Sequence, residues 1–377
     1  MTPKERMARA MAGAVPDRVP VMCQMSVGHM LLQTGLSPSE FWHSPEAYAE
    51  GLVSLRELYG FDGILISLHG HSPGWRRGVA RREKDAEGER LYWKNGDMTL
   101  CPYDDLPLAR SEAGQVRPEF ESFDPEALPA AISHIPVSQG LRFSLDAERL
   151  FDILGLVRER AGSAFSLHGE VTSPLDYTLD LFGFEQAMVG FLEDPGRAAA
   201  VLERFTEGLV RLAGGWVEAG ADAVKISSPY AGAGFLSVAF YDRFVRPYEA
   251  RIAGAVEARG GRAYVHTCGD ISDRLDLIAS SGASGLECLD PPPLGRVDLA
   301  EAKRRVGGRL FIKGNIDPVH VLLPGGPERV REDARLRLRA GMPGGGYVLS
   351  TACSVAPRTP REHVRVLREA ADEFGRY

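Results

Sequence analysis

The chain is expected to fold as a (β/α)8 barrel, and three observations lead there. Short apolar segments of strand length occur eight times, they alternate with longer stretches of helical periodicity, and 377 residues accommodate that repeat with room for insertions. With 44% hydrophobic and 25% charged residues, the chain can fill one large core and carries no excess charge to keep it unfolded. We expect residues 1–377 to form a single barrel domain.

An amphipathic helix before Pro16 opens the chain as an N-terminal extension. The first strand is expected at Val19–Cys23, followed by the helices of "SPSEFWHSPEAYAEGLVSLRELYG" and a second strand at Gly63–Ser67. From Ser72 to about Leu141, charged and apolar residues alternate around an Asn95-Gly96 turn signal, which predicts an inserted β-hairpin. Strands three and four are expected at Ala164–Gly169 and Ala223–Ser227. Between them Asp194 caps a long helix, Pro195 takes its first position and Gly220 ends it. The remaining strands are read at Ala263–His266, Gly285–Leu289, Leu310–Lys313 and Gly346–Ser350. Asp270 is read as the cap of a helix stopped by Gly282, and Thr359 as the cap of the closing helix.

The formal charge of −7, with basic residues scattered among acidic ones, leaves no cationic stripe for a phosphate backbone, so nucleic acid is not an expected partner. No run approaches the roughly 20 apolar residues needed to cross a bilayer, and the opening segment lacks the apolar core of a signal peptide. Five widely spaced cysteines suit a reducing compartment better than a disulfide framework. A cytoplasmic protein without a membrane partner is expected.

Chemistry in such barrels sits at the C-terminal ends of the strands. Polar candidates there include His69 and His71 after the second strand, His168 and Glu170 at the third, and Ser227 and Ser228 at the fourth. His266 and Cys268 follow the fifth, Glu287 and Asp290 the sixth, Asn315 and Asp317 the seventh, and Cys353 the eighth. His266 and Cys268 are two apart in an extended segment and project to one side, while Cys353 leans in from the same rim. One histidine and two cysteines form a ligand set for Zn2+ that leaves one position open for substrate. The pair alone also reads as an ordinary strand ending, because free cysteine packs as a small apolar residue.

Four stretches together are similar to the uroporphyrinogen decarboxylase-like superfamily: "KERMARAMAGAVPDRVPV", "GADAVKISSPYAGAGFLSVAFYDRFVRPY", "FIKGNIDPVHVLLPGGPERVREDAR" and "GGYVLSTACSVAPRTPREHVRVL". The decarboxylase branch implies an arginine-rich stretch after the first strand, where this chain has Gln24 to His29 without arginine, and a Phe-Asp-Ser where it has Ser227-Ser228-Pro229. The methyltransferase branch implies zinc held by a His-x-Cys pair and a distant Cys, which His266, Cys268 and Cys353 match in kind and order. That resemblance implies methyl transfer between a methylcobamide carried by a separate corrinoid protein and a small thiol such as coenzyme M. The alternatives are decarboxylation of an acidic substrate, transfer from a methyl donor to the corrinoid, and a noncatalytic partner of the corrinoid protein.

Glu287 is the expected fourth ligand, with Asp290 behind it; either serves instead as a cap or as a partner orienting His266. His69, His71, His168 and Ser228 are candidate cofactor- or substrate-binding residues. Cys288, next to Glu287 on its strand, should point the other way into the core. Asn315 and Asp317 are expected to brace the seventh loop.

Overall fold

The computed structural model describes residues 1–110, 116–137 and 140–377. Seven parallel strands form one curled sheet in the order β1 (Gly63–Ile66), β8 (Ser166–Thr172), β9 (Ala223–Ser227), β10 (Arg262–Thr267), β11 (Gly285–Cys288), β12 (Phe311–Ile316) and β13 (Tyr347–Thr351). Helices connect them and cover the outside, giving the expected barrel-like α/β architecture. No helix of the described residues is long and apolar enough to cross a membrane.

The eighth staff is not a regular strand. Where Val19–Cys23 was expected to pair fully, only isolated parallel bridges form, Val21 to Leu349 and Met25 to Val355. Pro20 has no N–H to give a ladder, so the pairing is interrupted, although Met22 N–H donates to Leu349 O at 3.1 Å. Leu349 N–H donates to Pro20 O at 2.9 Å, and Asp62 N–H donates to Val21 O at 2.8 Å, so the segment touches the flanks of both β13 and β1.

A fully buried Asp62 carboxylate anchors this closure. It accepts from Arg6 Nη1 at 2.7 Å, from Arg18 Nη1 at 2.9 Å and Nη2 at 3.0 Å, and from Val21 N–H at 2.8 Å. Arg6 belongs to the opening helix Pro3–Met11, whose Met7, Ala10 and Met11 lie at i, i+3 and i+4 on one face. That face plugs the barrel base against Leu65, Ala223, Tyr264, Phe311 and Val348, one inward side chain from each of five strands. Period two then places Lys225, His266 and Lys313, each two residues further along, inside the barrel and nearer the mouth.

The insertion is larger than the expected hairpin. Strands β2 (Val79–Lys84), β3 (Gly88–Trp93), β4 (Met98–Pro102) and β5 (Leu108–Arg110) make an antiparallel sheet, with Asn95-Gly96 in the β3–β4 turn. A separate ribbon, β6 (His134–Pro136) and β7 (Arg142–Ser144), carries the excursion past Leu141. Its strands are too short for a periodic pattern to show. The part of the expected insertion at 111–115 and 138–139 lies outside the described residues.

Asp194 caps helix Pro195–Glu218 as expected, its side chain accepting from Arg197 N–H. Two other caps differ. The helix after β10 is only Leu275–Ala279, because Asp270 spends its carboxylate on Ser272 N–H and Arg296. The closing helix Arg361–Phe374 starts after Pro360, and Thr359 makes no capping bond.

Replacing Asp62 with alanine removes the buried carboxylate shared by Arg6 and Arg18, leaving them only the more exposed Asp17 and Asp372, and is expected to cost about 3–5 kcal/mol, the range for breaking a buried pair. Urea unfolding followed by circular dichroism measures this, and a loss under about 1 kcal/mol would remove Asp62 from the closure.

Candidate functional site

Strand β10 ends by delivering His266 inward, and the chain then turns at Gly269, whose φ of 78° is open to glycine at little cost. Asp290 holds that turn by accepting from Gly269 N–H at 2.7 Å. Gly232 lets a neighbouring loop come close, since a Cβ there would lie 2.3 Å from Cys268 O. Cys268 Sγ sits 3.4 Å from His266 Nε2 and 3.8 Å from Cys353 Sγ. The three donor atoms lie within 4.8 Å of one another, His266 buried and both thiols half-buried. Cys353 follows β13, three strands from β10, so its thiol reaches across the mouth.

Glu287 stands behind the imidazole rather than in this cluster. Its Oε2 lies 3.0 Å from His266 Nδ1, and its Oε1 is bonded by Lys313 Nζ. With both oxygens engaged, the expected fourth-ligand role gives way to the orienting one. Nδ1–H donated to Glu287 leaves the Nε2 lone pair facing the two thiols. Lys225 Nζ completes a buried network, 3.2 Å from Glu170 and 3.7 Å from Glu287, and also donates to Gln24 of the closure segment.

The strand alternation expected for Cys288 fails because Cys288 and Leu289 adopt positive φ of 88° and 58°. Such backbone costs of order 1–3 kcal/mol per residue and is held only by its surroundings. It turns the Cys288 thiol onto Asp290 Oδ2 at 3.3 Å, beside Cys268. Hydrogen bonds from Cys288 and Cys353 pull Cys268 down to about 4, against the opposing effect of burial. Cys353 is pushed up by its bond to Cys268 and by burial, and Cys288 chiefly by burial. Hydrogen bonds within the group thus favour the thiolate at Cys268 over Cys353 and Cys288. Burial first, and then the Lys225 charge, pull His266 down and keep the imidazole neutral.

A cavity of about 640 Å3 opens beside the cluster. Ser227, paired in register with His266, and Ser354, next to Cys353, both line it, as do Gln24, Glu170, Asp176 and Tyr230. The other expected binding residues are not brought there. His69 packs on Trp216 and Phe151, and His71 on Tyr48 and on Phe143 of β7, and burial pulls both down to about 3. His168 lies deeper in the barrel, bonded to Ser166 Oγ and Tyr264 OH at 3.0 Å each. Ser228 donates its hydroxyl to buried Glu249 at 2.5 Å. Asn315 and Asp317 brace the seventh loop: Asn315 Nδ2 donates to Leu289 O, and Asp317 caps the turn at Pro318–Leu322.

Two residues escaped the sequence reading. Lys225 was hidden inside "AVKIS", although a lysine at an inward position of a buried strand is itself a signal. Asp176 reads as part of a capping pattern, Ser173-x-x-Asp176, and only the fold opens it to the cavity.

Fold and cluster together define a barrel protein with a histidine and two cysteines converging at its C-terminal rim. The chain belongs to the uroporphyrinogen decarboxylase (URO-D) family, whose model matches residues 2–80 and 123–374; the unmatched stretch between them holds most of the β2–β5 sheet. It is 24% identical to a methylcobamide:CoM methyltransferase MtaA of Methanosarcina barkeri over 99% of this chain and 98% of that one. A uroporphyrinogen decarboxylase of Pseudomonas fluorescens is 27% identical over 77% of this chain and 75% of its own length. A solved methyltransferase from Methanosarcina mazei superposes with a TM-score of 0.74 at 22% identity, covering 99% of both chains.

Proximity of the two thiols makes a direct prediction. In a Cys288→Ser background, which removes the third thiol beside Cys268, phenylarsine oxide, which bridges paired thiols, should bind tightly and one to one to chelator-treated protein, and adding Cys268→Ser or Cys353→Ser should each abolish this in a mass measurement. Retention of tight binding by Cys353→Ser would separate the pair.

Proposed function

We propose that this protein is a zinc-dependent methyltransferase, acting between a methylcobamide on a separate corrinoid protein and a small thiol or related acceptor. The spacing of the three donors carries the reading. A tetrahedral ion with Zn–S of about 2.3 Å and Zn–N of about 2.0 Å separates two sulfurs by about 3.8 Å and sulfur from nitrogen by about 3.5 Å. The separations here are 3.8 Å and 3.4 Å. His266, Cys268 and Cys353 would hold the ion, leaving one ligand position for a substrate. Zinc bound there would favour the thiolate form of a substrate thiol, while two cysteine ligands limit the charge withdrawn from its sulfur.

The chain's own residues support this. Glu287 fixes the tautomer and orientation of His266, and Lys313 fixes Glu287. The cavity seats the acceptor beside the cluster, and its open side leaves a path for the methyl–cobalt carbon. The thiolate sulfur attacks that carbon, and the cobalt–carbon electron pair stays on cobalt, which leaves as Co(I). Similarity to methylcobamide:CoM methyltransferases over nearly the whole chain agrees with this chemistry.

A decarboxylase of an acidic substrate fits less well. Among the described residues lining the cavity, Asp105, Glu170, Asp176 and Asp180 face a single cationic side chain, Arg117. Like charges of this kind repel a multiply carboxylated ligand. We place the protein in the cytoplasm, where its five unpaired cysteines stay reduced.

Protein prepared without chelator should carry about one zinc per chain, as three protein donors define one site. Cys268→Ser or Cys353→Ser should remove both the metal and the loss of methyl–cobalt absorbance when methylcobalamin is offered with a panel of thiols. Glu287→Gln should weaken zinc binding by about 10–100-fold. Absence of zinc, or full zinc in both cysteine variants, would overturn the reading.

A further inference from the structure

A thiol that binds as thiolate must leave its proton somewhere, and the cavity wall contains a carboxyl group placed to receive it. Asp176 lies in the first turn of helix Pro174–Phe182, is 5% exposed and lines the cavity. Ser173 caps that helix: its hydroxyl accepts from Asp176 N–H and donates to Asp176 Oδ2. Asp176 Oδ1 has no hydrogen bond to the described residues. Two backbone bonds tie this corner to the cluster. Ser173 N–H donates to Ser227 O at 2.8 Å, and Ser228 N–H donates to His266 O at 2.8 Å, so the tips of β8, β9 and β10 are locked side by side.

We propose that Asp176 is a catalytic residue of the methyl transfer, accepting the proton a substrate thiol surrenders as its sulfur joins His266, Cys268 and Cys353. The inference rests on the thiol-methylation reading above. The S–H bond breaks, its electron pair stays on sulfur, and the proton passes to Oδ1. Sulfur then takes the methyl group, the cobalt–carbon pair stays on cobalt, and Asp176 returns its proton to water.

The surroundings suit the task. Burial, with the Glu249 charge behind Ser228, lifts Asp176 to about 7, while Ser173 and His266 pull it back. Of the other carboxylates of the wall, Asp180 pairs with Arg142 and His134, Asp105 accepts only from Leu106 N–H, and Glu170 is held beside the Lys225 charge through Oε1, with Oε2 unpartnered. Tyr177 gives its hydroxyl to His134 O, and Tyr230, from the turn after β9, contributes a phenol to the wall. Arg117 is the one cationic side chain among the described lining residues. A carboxyl lifted this far is charged, and so able to accept, above about pH 7, and activity should fall as pH drops through that value.

The test uses zinc-loaded full-length protein and two thiols: 2-mercaptoethanol, protonated at neutral pH, and 4-nitrothiophenol, already ionised there. Calorimetry at pH 8 in two buffers of different ionisation enthalpy counts protons released on binding 2-mercaptoethanol. The arriving sulfur's negative charge raises Asp176 further in the complex, so wild type should release well under one proton, Asp176→Asn about one, and Asp176→Glu should restore the wild-type count. With methylcobalamin, Asp176→Asn should slow transfer to 2-mercaptoethanol by about 100-fold or more and lose the acid limb near pH 7, while largely sparing 4-nitrothiophenol.

Equal proton counts in wild type and Asp176→Asn, or equal slowing with both thiols, would overturn the assignment of Asp176 alone. Failure of wild type to demethylate methylcobalamin with either thiol would instead overturn the methyltransferase reading on which it rests. Zinc content and melting temperature report whether Asp176→Asn is folded. Should it not fold, Ser173→Ala decides: losing the hydroxyl that favours the charged form must move the acid limb to higher pH, and an unmoved limb overturns the proposal.

Discussion

Between β13 and β1 the curled sheet would present two rows of unpaired backbone groups, and everything at the mouth depends on how that gap is closed. The segment around Val19–Met25 closes it without a full ladder, giving carbonyls to both neighbours while Asp62 gathers Arg6, Arg18 and Val21 N–H beneath it. Four charge-assisted bonds to one carboxylate offset the cost of burying it. Closure also positions chemistry. Gln24, from the same segment, receives a hydrogen bond from Lys225, and the circular arrangement lets Cys353 face Cys268 across the opening.

Above the apolar plug, the barrel interior turns polar in one layer. Lys225, Lys313, Glu170 and Glu287 pair with one another across this layer, so none is buried without a partner, while burial and then the Lys225 charge pull Lys313 down to about 7. Hydrophobic residues of the same volume would hold a barrel at least as well, so this layer is better explained by His266 than by stability. Removing any one member would leave an uncompensated charge beside the imidazole. The layer thus gives His266 one tautomer and one orientation, as a ligand needs.

Local strain is concentrated at the same rim. Cys288 and Leu289 hold left-handed backbone where an ordinary strand would have continued, and the consequence is a third thiol next to Cys268. Asp290 ties the two departures together by bonding both Gly269 N–H and the Cys288 thiol. Rigid strands below and a hydrogen-bonded turn above therefore hold the sulfur atoms in place before any ligand arrives.

Much of this was legible without coordinates. Alternating strand and helix patterns identify the barrel, and period two in β10 puts His266 and Cys268 on one side, because both follow from the backbone's own repeat. Chain order could also nominate Cys353, since every βα loop of a barrel ends on one face. What no local pattern carries is which rim residues meet. His69 and His71 sit just past a strand, near the rim as His266 does, yet aromatic neighbours from distant segments, Trp216 of a helix and Phe143 of β7, take them outside the barrel. Glu287 became the partner of His266 through strand register, Cys288 turned inward through two left-handed residues, and Asp176 faced the cavity through the packing of its helix. Periodicity is a property of neighbours along the chain, whereas register, strain and cavity walls are set by contacts between segments far apart in it, and those were decided only by the tertiary structure.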